Sequence, residues 1–429
     1  MKRRLGLLLA AMAFVPSTLM AQQLGPDPQG TPPGVDALPQ INSKGFPDPK
    51  QIDGQPVEIR APELDIDQPA FAGQTRAPFR KTAPYNVTVI ADKLKKSWSL
   101  ALLPDGKLLV TQKSGLLLII GQDGKVSAPV TGVPTVNDDG AVGLLEVTLD
   151  PNFAANHRLF FSFSEPMPSG LNHLALAKGT FDEAAGALSN VKVLWRASVD
   201  AKTHSSAQGG KIAIAKDGTI FMTVGDRSKS PPWRLAQQLD SNMGKIIHVT
   251  ADGAPAPGNP FIGKAGALPE IWSYGHRSEE GLAFDAQGRL WETEDGPKGG
   301  DELNLIEPGK NYGWPVVVHG MDYSGRKFSD GATQKEGIVQ PRYYWDPVIA
   351  PSGLAFYRGK MFPAWEGSVL VGALRGTQLD RLTIKGDKVV DEEPLLFELK
   401  SRIRDVRVGP DGAVYVLTDE SRVLKLTAK

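Results

Sequence analysis

The sequence predicts an all-β fold, a six-bladed β-propeller. Three observations carry that expectation. Glycine and proline number 46 and 34 in 429 residues, nearly one residue in five, against about one in eight in an average chain. That surplus calls for many turns and argues against a helical bundle. Six segments share one grammar, an apolar run, a turn built on Asp, Gly or Pro, and a second apolar run. Their spacing is roughly 45 to 70 residues, the scale of propeller blades with loops of unequal length.

Taken in chain order, residues 1–21 read as a secretory signal peptide. Lys2, Arg3 and Arg4 precede an apolar stretch over residues 5–15, which is too short to favour a membrane span. A periplasmic or secreted protein is expected, with no stable membrane insertion. Residues 22–84 contain GPDPQGTPPG and FPDPKQIDGQP. Proline fixes its own φ and lacks an amide donor, so this part is expected as a Pro-rich arm or linker. The propeller domain is expected over 85–429, starting with the alternating NVTVIADKL.

Six hairpins then follow, each opening on the residue named: Leu100 (LALLPDGKLLVTQ), Val147 (VTLDPNFAANHRLFFSFS), Ile212 (IAIAKDGTIFMTVGD), Leu282 (LAFDAQGRLWETEDG), Leu354 (LAFYRGKMFPAWEGSVLVGAL) and Val406 (VRVGPDGAVYVLTDE). Pro-Asp-Gly and Lys-Asp-Gly are tight turns because Pro presets φ and Gly accepts positive φ. A propeller gathers one loop from every blade at one end of its channel, so distant polar residues can share a pocket.

Composition excludes several classes. Lys+Arg and Asp+Glu are 48 each, so the bulk positive field of a nucleic-acid binder is missing. Cysteine is absent, which excludes disulfides, a thiol nucleophile, iron–sulfur clusters and cysteine-based zinc sites.

The residues able to carry chemistry are few. His204, in the small polar loop DAKTHSSAQGGK, can act near neutral pH at a blade mouth, with Asp226 of TVGDR placed to orient it; the alternative is a surface histidine without a role. His276, among aromatic and apolar neighbours, reads as structural. The stretch ETEDGPKGGDELNLIEPGKNYGWP, residues 292–315, concentrates Asp295, Asp301, Glu302 and exposed carbonyls, a donor set suited to Ca2+; a solvated acidic loop is the alternative. Arg402 and Arg404 sit at i and i+2, on one side of a strand, and two guanidiniums facing one way favour an anionic ligand. Asp405 is expected to tie down one of them. Arg277 and Arg375 also fall in blade-end loops. Trp98, Trp233, Trp314 and Trp345 can stack on sugar rings or fill blade cores.

YGHRSEEGLAF, EDGPKGGDELNLIEPGKNYGWP, GLLEVTLDPNF, APSGLAFYRG and RIRDVRVGPDG together resemble the soluble pyrroloquinoline quinone (PQQ)-dependent glucose/sorbosone dehydrogenase family, in its aldose sugar dehydrogenase branch. The resemblance runs from about residue 85 to the end, and QTRAPF before it resembles the arm of some members. It implies a six-bladed propeller that oxidises aldose sugars at C1 to lactones, using PQQ and Ca2+ and an external electron acceptor; a monomer or dimer is expected. It implies cofactor calcium on the carbonyls of Gly296 and Pro297, and a second calcium on Asp301, Glu302 and the Tyr312 carbonyl. It implies cofactor contacts from Arg277, Ser278, Tyr323, Arg375, Arg402 and Arg404, and proton transfer by His204 supported by Asp226. The chain departs from the family pattern at Ala141 (family Gln), Ser278 (Asn) and Arg375 (Lys). His204 stands about three residues early, with Ala207 at the usual place. These departures keep an alternative open, a divergent or non-catalytic propeller that binds sugar or polymer with a decayed cofactor site.

Overall fold

Each of the six sequence repeats closes as an antiparallel hairpin, and each hairpin forms the inner half of one sheet. The computed structural model describes residues 51–198, 201–202, 207–227 and 232–429. Blade 1 comprises Ser97–Leu102, Leu108–Gln112 and Leu116–Ile120, and blade 2 comprises Leu144–Leu149, Arg158–Pro166, Leu171–Asp182 and Ala187–Arg196. Blade 3 comprises Gly209–Ile214, Ile220–Val224, Lys245–Val249 and Ile271–Tyr274, and blade 4 Glu279–Phe284, Leu290–Glu294, Asp301–Ile306 and Tyr343–Trp345. Blade 5 comprises Pro351–Phe356, Val369–Ala373, Gln378–Lys385 and Lys388–Leu395. Blade 6 takes Ile403–Val408, Val414–Thr418 and Val423–Ala428 from the end of the chain and its outer strand, Tyr85–Ala91, from near the start. Tyr85 lies opposite Ala428 and Val89 opposite Leu424. The all-β, six-bladed propeller expected from the repeats is therefore the fold.

The core is divided among the blade boundaries. Leu109 and Leu117 meet Phe161 and Phe163 between blades 1 and 2. Phe160 and Leu176 meet Ile212 and Met222 between blades 2 and 3. Phe221 and Ile246 meet Leu282 and Ile306 between blades 3 and 4. Comparable clusters join blades 4 and 5, 5 and 6, and 6 and 1. Both faces of an inner hairpin are thus covered, which explains why those strands read as continuous apolar runs.

All six inner strands carry a register shift near their start: Ser97/Leu100, Leu144/Val147, Gly209/Ile212, Glu279/Gly281, Pro351/Leu354 and Ile403/Asp405. A bulge turns a strand and re-aims its side chains. Here the bulges lie at the end of the channel from which the chemically active loops project.

Residues 51–84 are an arm laid on the propeller. Leu64, Gln74, Ala77 and Phe79 are buried. The arm runs along the outer strands of blades 4 and 5: the Tyr344 amide donates to the Gln74 carbonyl at 2.9 Å, and the Glu392 amide to the Pro78 carbonyl at 3.0 Å. The prolines exclude helix, yet leave carbonyls free to accept these bonds.

Packing at the closing blade makes a testable contrast. Leu426 is fully buried, whereas Val89 of the partner strand is half exposed. Leu426→Ala is expected to cost about 3 kcal/mol, and Val89→Ala less than about 0.5 kcal/mol. Denaturant unfolding followed by circular dichroism measures both.

Candidate functional site

The arginines singled out in the sequence converge at the bulged end of the channel. Arg402 and Arg404 share one carboxylate, that of Asp419: their Nε atoms donate to its two oxygens at 2.6 and 2.8 Å. Asp405 does not hold either of them, contrary to the sequence expectation. The bulge at Ile403/Asp405 turns it into the channel. There it accepts from the Leu100 amide at 2.9 Å, pairs with Arg407 at 2.8 Å and lies 3.5 Å from Lys211 Nζ. Arg404 lies over the Trp98 ring at 4.4 Å, and Lys113 reaches the same ring at 5.7 Å. Arg277 lies over Trp314 at 5.2 Å, and its Nη1 donates to the carbonyls of Asp295 and Gly296 at 2.7 and 2.9 Å. Arg277 and Arg404 are both near enough to act on Asp295, and Arg277 and Arg375 on Tyr323. Trp98 and Trp314 are buried. They support guanidiniums and offer no open face to a sugar.

The loop 295–300 bends back on itself beside these arginines. Tyr323 Oη donates to the Pro297 carbonyl at 2.6 Å, and the Asp295 amide donates to the Ser278 carbonyl at 2.9 Å. Gly296, Pro297, Asp295, Glu294, Glu302 and Tyr312 line a cavity of about 20 Å³, enough for one water or cation. Asp301 stands apart, fully buried. One of its oxygens accepts from the Gly296 amide at 2.8 Å, the other from the Ile349 and Ala350 amides at 2.7 Å each. It braces the loop from behind. Burial still raises its pKa to about 7 despite those three donors.

Carboxylates crowd the floor of the cavity. Asn304 Nδ2 donates to Glu292, Glu294 and Glu302 at 3.1–3.2 Å. Burial, then the neighbouring Glu294 charge, pushes Glu292 and Glu302 well above the usual carboxyl range. Asp295 is raised by burial and by Asp301, and its Oδ1 has no hydrogen-bond partner among the described residues. Such groups hold a proton or a cation. His276 stands with Glu292 and Glu294 in one buried group whose possible ligand atoms lie within 4.8 Å of one another. It is buried, stacked on Tyr312 at 4.7 Å, with its ring nitrogens 2.9 Å from Ser273 Oγ and 3.3 Å from Glu294.

Asp226 is also buried. It accepts from Trp314 Nε1 at 2.6 Å, and its amide donates to the Arg277 carbonyl at 2.8 Å. It thus belongs to the Arg277 side of the site. His204 lies outside the described residues.

The Glucose / Sorbosone dehydrogenase family model matches residues 94–425. The chain belongs to the glucose/sorbosone dehydrogenase family. It is 39% identical over 342 residues to aldose sugar dehydrogenase YliI of Escherichia coli (strain K12), covering 79% of this chain and 91% of that protein. The solved apo-form of the soluble aldose sugar dehydrogenase from Escherichia coli superposes with a TM-score of 0.76 at 38% identity, over 81% of this chain and all of that one. The PQQ-bound aldose sugar dehydrogenase of Streptomyces coelicolor gives 0.66 at 30% identity, over 81% and 99% of the two chains. Membership makes this chain a sugar dehydrogenase, an oxidoreductase.

Lys113, Asp419, Gln208 and Arg227 of this glucose/sorbosone dehydrogenase escape a reading of local sequence. Lys113 and Asp419, like Asp226, Asp295 and Arg375, stand one or two positions past the second strand of a hairpin. Their common signal is repeat register, visible only when the six hairpins are aligned by their turns. Gln208, buried beside Gly209, accepts from Ser164 Oγ at 2.7 Å. Arg227, with φ of 63°, donates to Asn172 at 2.6 Å, and burial lowers its pKa to about 9.

Asp419 supplies the test. Burial raises its pKa, but the Arg404 and Arg402 charges and hydrogen bonds outweigh that and hold it below the usual range. Its stabilising effect is therefore complete above the unfolded pKa of about 3.9 and lost as pH falls through the lower folded value. Asp419→Ala is expected to cost about 3 kcal/mol near neutral pH. The gap to wild type narrows below about pH 4, as read by denaturant melts across pH.

Proposed function

We propose that this protein is an exported, PQQ- and calcium-dependent dehydrogenase that oxidises aldose sugars at C1 to lactones. The observation that supports this most is the meeting of Arg277, Arg375, Arg402 and Arg404 beside an ion-sized cavity lined by Gly296 and Pro297. PQQ carries three carboxylates and an o-quinone, so a cluster of guanidiniums and a cation suit it. The buried Asp295 oxygen, without a hydrogen-bond partner among the described residues, and the raised carboxyls of Glu292 and Glu302 suit a hard cation with oxygen ligands.

In this reading Gly296 and Pro297 offer carbonyls to the cofactor calcium, and Glu302 and Tyr312, which line the same cavity, belong with Asp301 to a second calcium. When bound, PQQ supplies a two-electron acceptor for the hydride that leaves sugar C1. His204 takes the proton of the anomeric hydroxyl as the C1–H bond breaks and the C1=O bond forms. Asp226 supports the proton-transfer side, its own position fixed by Trp314. Tyr323 stays protonated, because burial pushes its phenol far above the usual value. It remains a donor to the Pro297 carbonyl. The arginines would offset negative charge on a bound quinone, and an external acceptor would be needed to take up its electrons.

Purified apo-protein given PQQ and Ca2+ is expected to bind the quinone and reduce a dye with a panel of aldoses. Chelation of calcium is expected to abolish turnover. Arg402→Ala is expected to weaken PQQ binding about tenfold or more. His204→Ala is expected to lower kcat by about 10² or more, leaving binding intact. Absence of both PQQ binding and turnover overturns the reading.

A further inference from the structure

The arm meets the reverse side of loop 296–300 directly at Lys298, and through Asp346 and His319 at Gly299 and Gly300. Lys298 Nζ pairs with Glu63 of the arm at 3.1 Å. Gly299 packs on Asp346: a Cβ built on it would stand 2.9 Å from the Asp346 carboxylate. Both oxygens of that carboxylate accept from the Glu63 amide at 3.0 Å. Gly300 packs on His319, where a Cβ would stand 2.7 Å from the backbone. The His319 ring is held by Asp67 of the arm at 2.8 Å, is stacked on Tyr344 at 4.2 Å, and is fully buried with its partner. The loop itself is tied to the same support, with Lys298 and Met321 exchanging amide–carbonyl bonds at 2.9 and 3.0 Å.

We propose that residues 63–67 of the arm are a positioning element for loop 296–300. They fix the loop from outside the propeller and so set how tightly the cavity beside it holds a cation. The arm precedes the family match, which begins at residue 94. The propeller closes through Tyr85–Ala91 without it. Residues 78–82 of the arm run along blade 5, whereas residues 63–67 meet Lys298 and, behind the loop, Asp346 and His319. Burying Asp67 against His319 has a desolvation cost that a mere tether would not need. The part that concerns cation affinity rests on the reading under Proposed function; the part that concerns loop rigidity does not.

Hydrogen exchange by mass spectrometry on the full chain, without metal or cofactor, tests the rigidity. In Glu63→Gln/Asp67→Asn, amides of the peptide spanning 296–300 are expected to exchange about tenfold faster. Those of the hairpin at 403–418 are expected to keep their wild-type rates. Glu63→Gln alone removes only a half-buried partner and keeps the fold; it is expected to give a smaller change in the same peptide. Calcium titration by calorimetry is expected to show about tenfold weaker binding in the double variant. Unchanged exchange in the loop, with only a lower melting temperature, overturns the proposal and makes the arm a general staple. Faster loop exchange in a protein that binds no calcium in either form upholds the positioning role and overturns the calcium reading.

Discussion

Tyr85–Ala91 pairs with Val423–Ala428 and joins the two ends of the propeller. Without that pairing the last blade would have three strands and an unpaired edge, and the blades would form an open arc. A ring fixes the relative placement of six hairpins that share no local sequence contact. Inside the ring, Asp405 is the corresponding polar tie. It accepts from blade 1 through the Leu100 amide, lies 3.5 Å from Lys211 of blade 3 and pairs with Arg407 of its own blade. It also sits where a Cβ on Gly353 of blade 5 would be, 2.2 Å from its oxygen. Glu146 of blade 2 completes the group by pairing with Lys211 and Arg407. Buried charges of this kind are costly unless every one is met. Here each meets a partner from another blade, so the polar centre specifies how the blades are arranged.

The site inherits its geometry from that arrangement. Bulges at the start of all six inner strands turn side chains toward one end, and the residues just past the second strands face the same end. The result concentrates unlike charges in layers. Arginines rest on buried tryptophans and on Asp419, while beneath the Gly296–Pro297 turn lies a group of carboxyls with little positive charge of their own. Asp301 separates the two functions by using its whole carboxylate on three backbone amides. A loop held so firmly from inside, and by the arm from outside, presents carbonyls in fixed directions. Preorganised dipoles of that kind bind a hard cation without reorganising.

Legibility followed the physical range of each signal. Hairpins are local, so Pro-Asp-Gly and Lys-Asp-Gly turns between apolar runs revealed six blades in sequence. The loop at 292–315 was legible because its glycines, prolines and acids act within a few residues of one another. Asp419 was not, because its partners Arg402 and Arg404 lie across a hairpin. Asp405 was misassigned because adjacency in sequence does not make a pair: Arg404 turns to Asp419, while Asp405 turns to Leu100 and Arg407. The arm reads as polar and proline-rich, and nothing local reveals that Leu64, Gln74 and Phe79 find buried places against blades 4 and 5.

The sequence by itself determined the class of fold, the number of blades, the absence of any cysteine chemistry and the composition of the loop that lines the cavity. Those properties depend on turn conformations and on residue types, which neighbouring residues fix. Tertiary structure alone decided which arginine meets which carboxylate, and which end of the channel carries the site. It also decided that an arm expected as arm or linker supports the loop. Each of these depends on groups brought together by ring closure, across separations at which the chain carries no periodic signal.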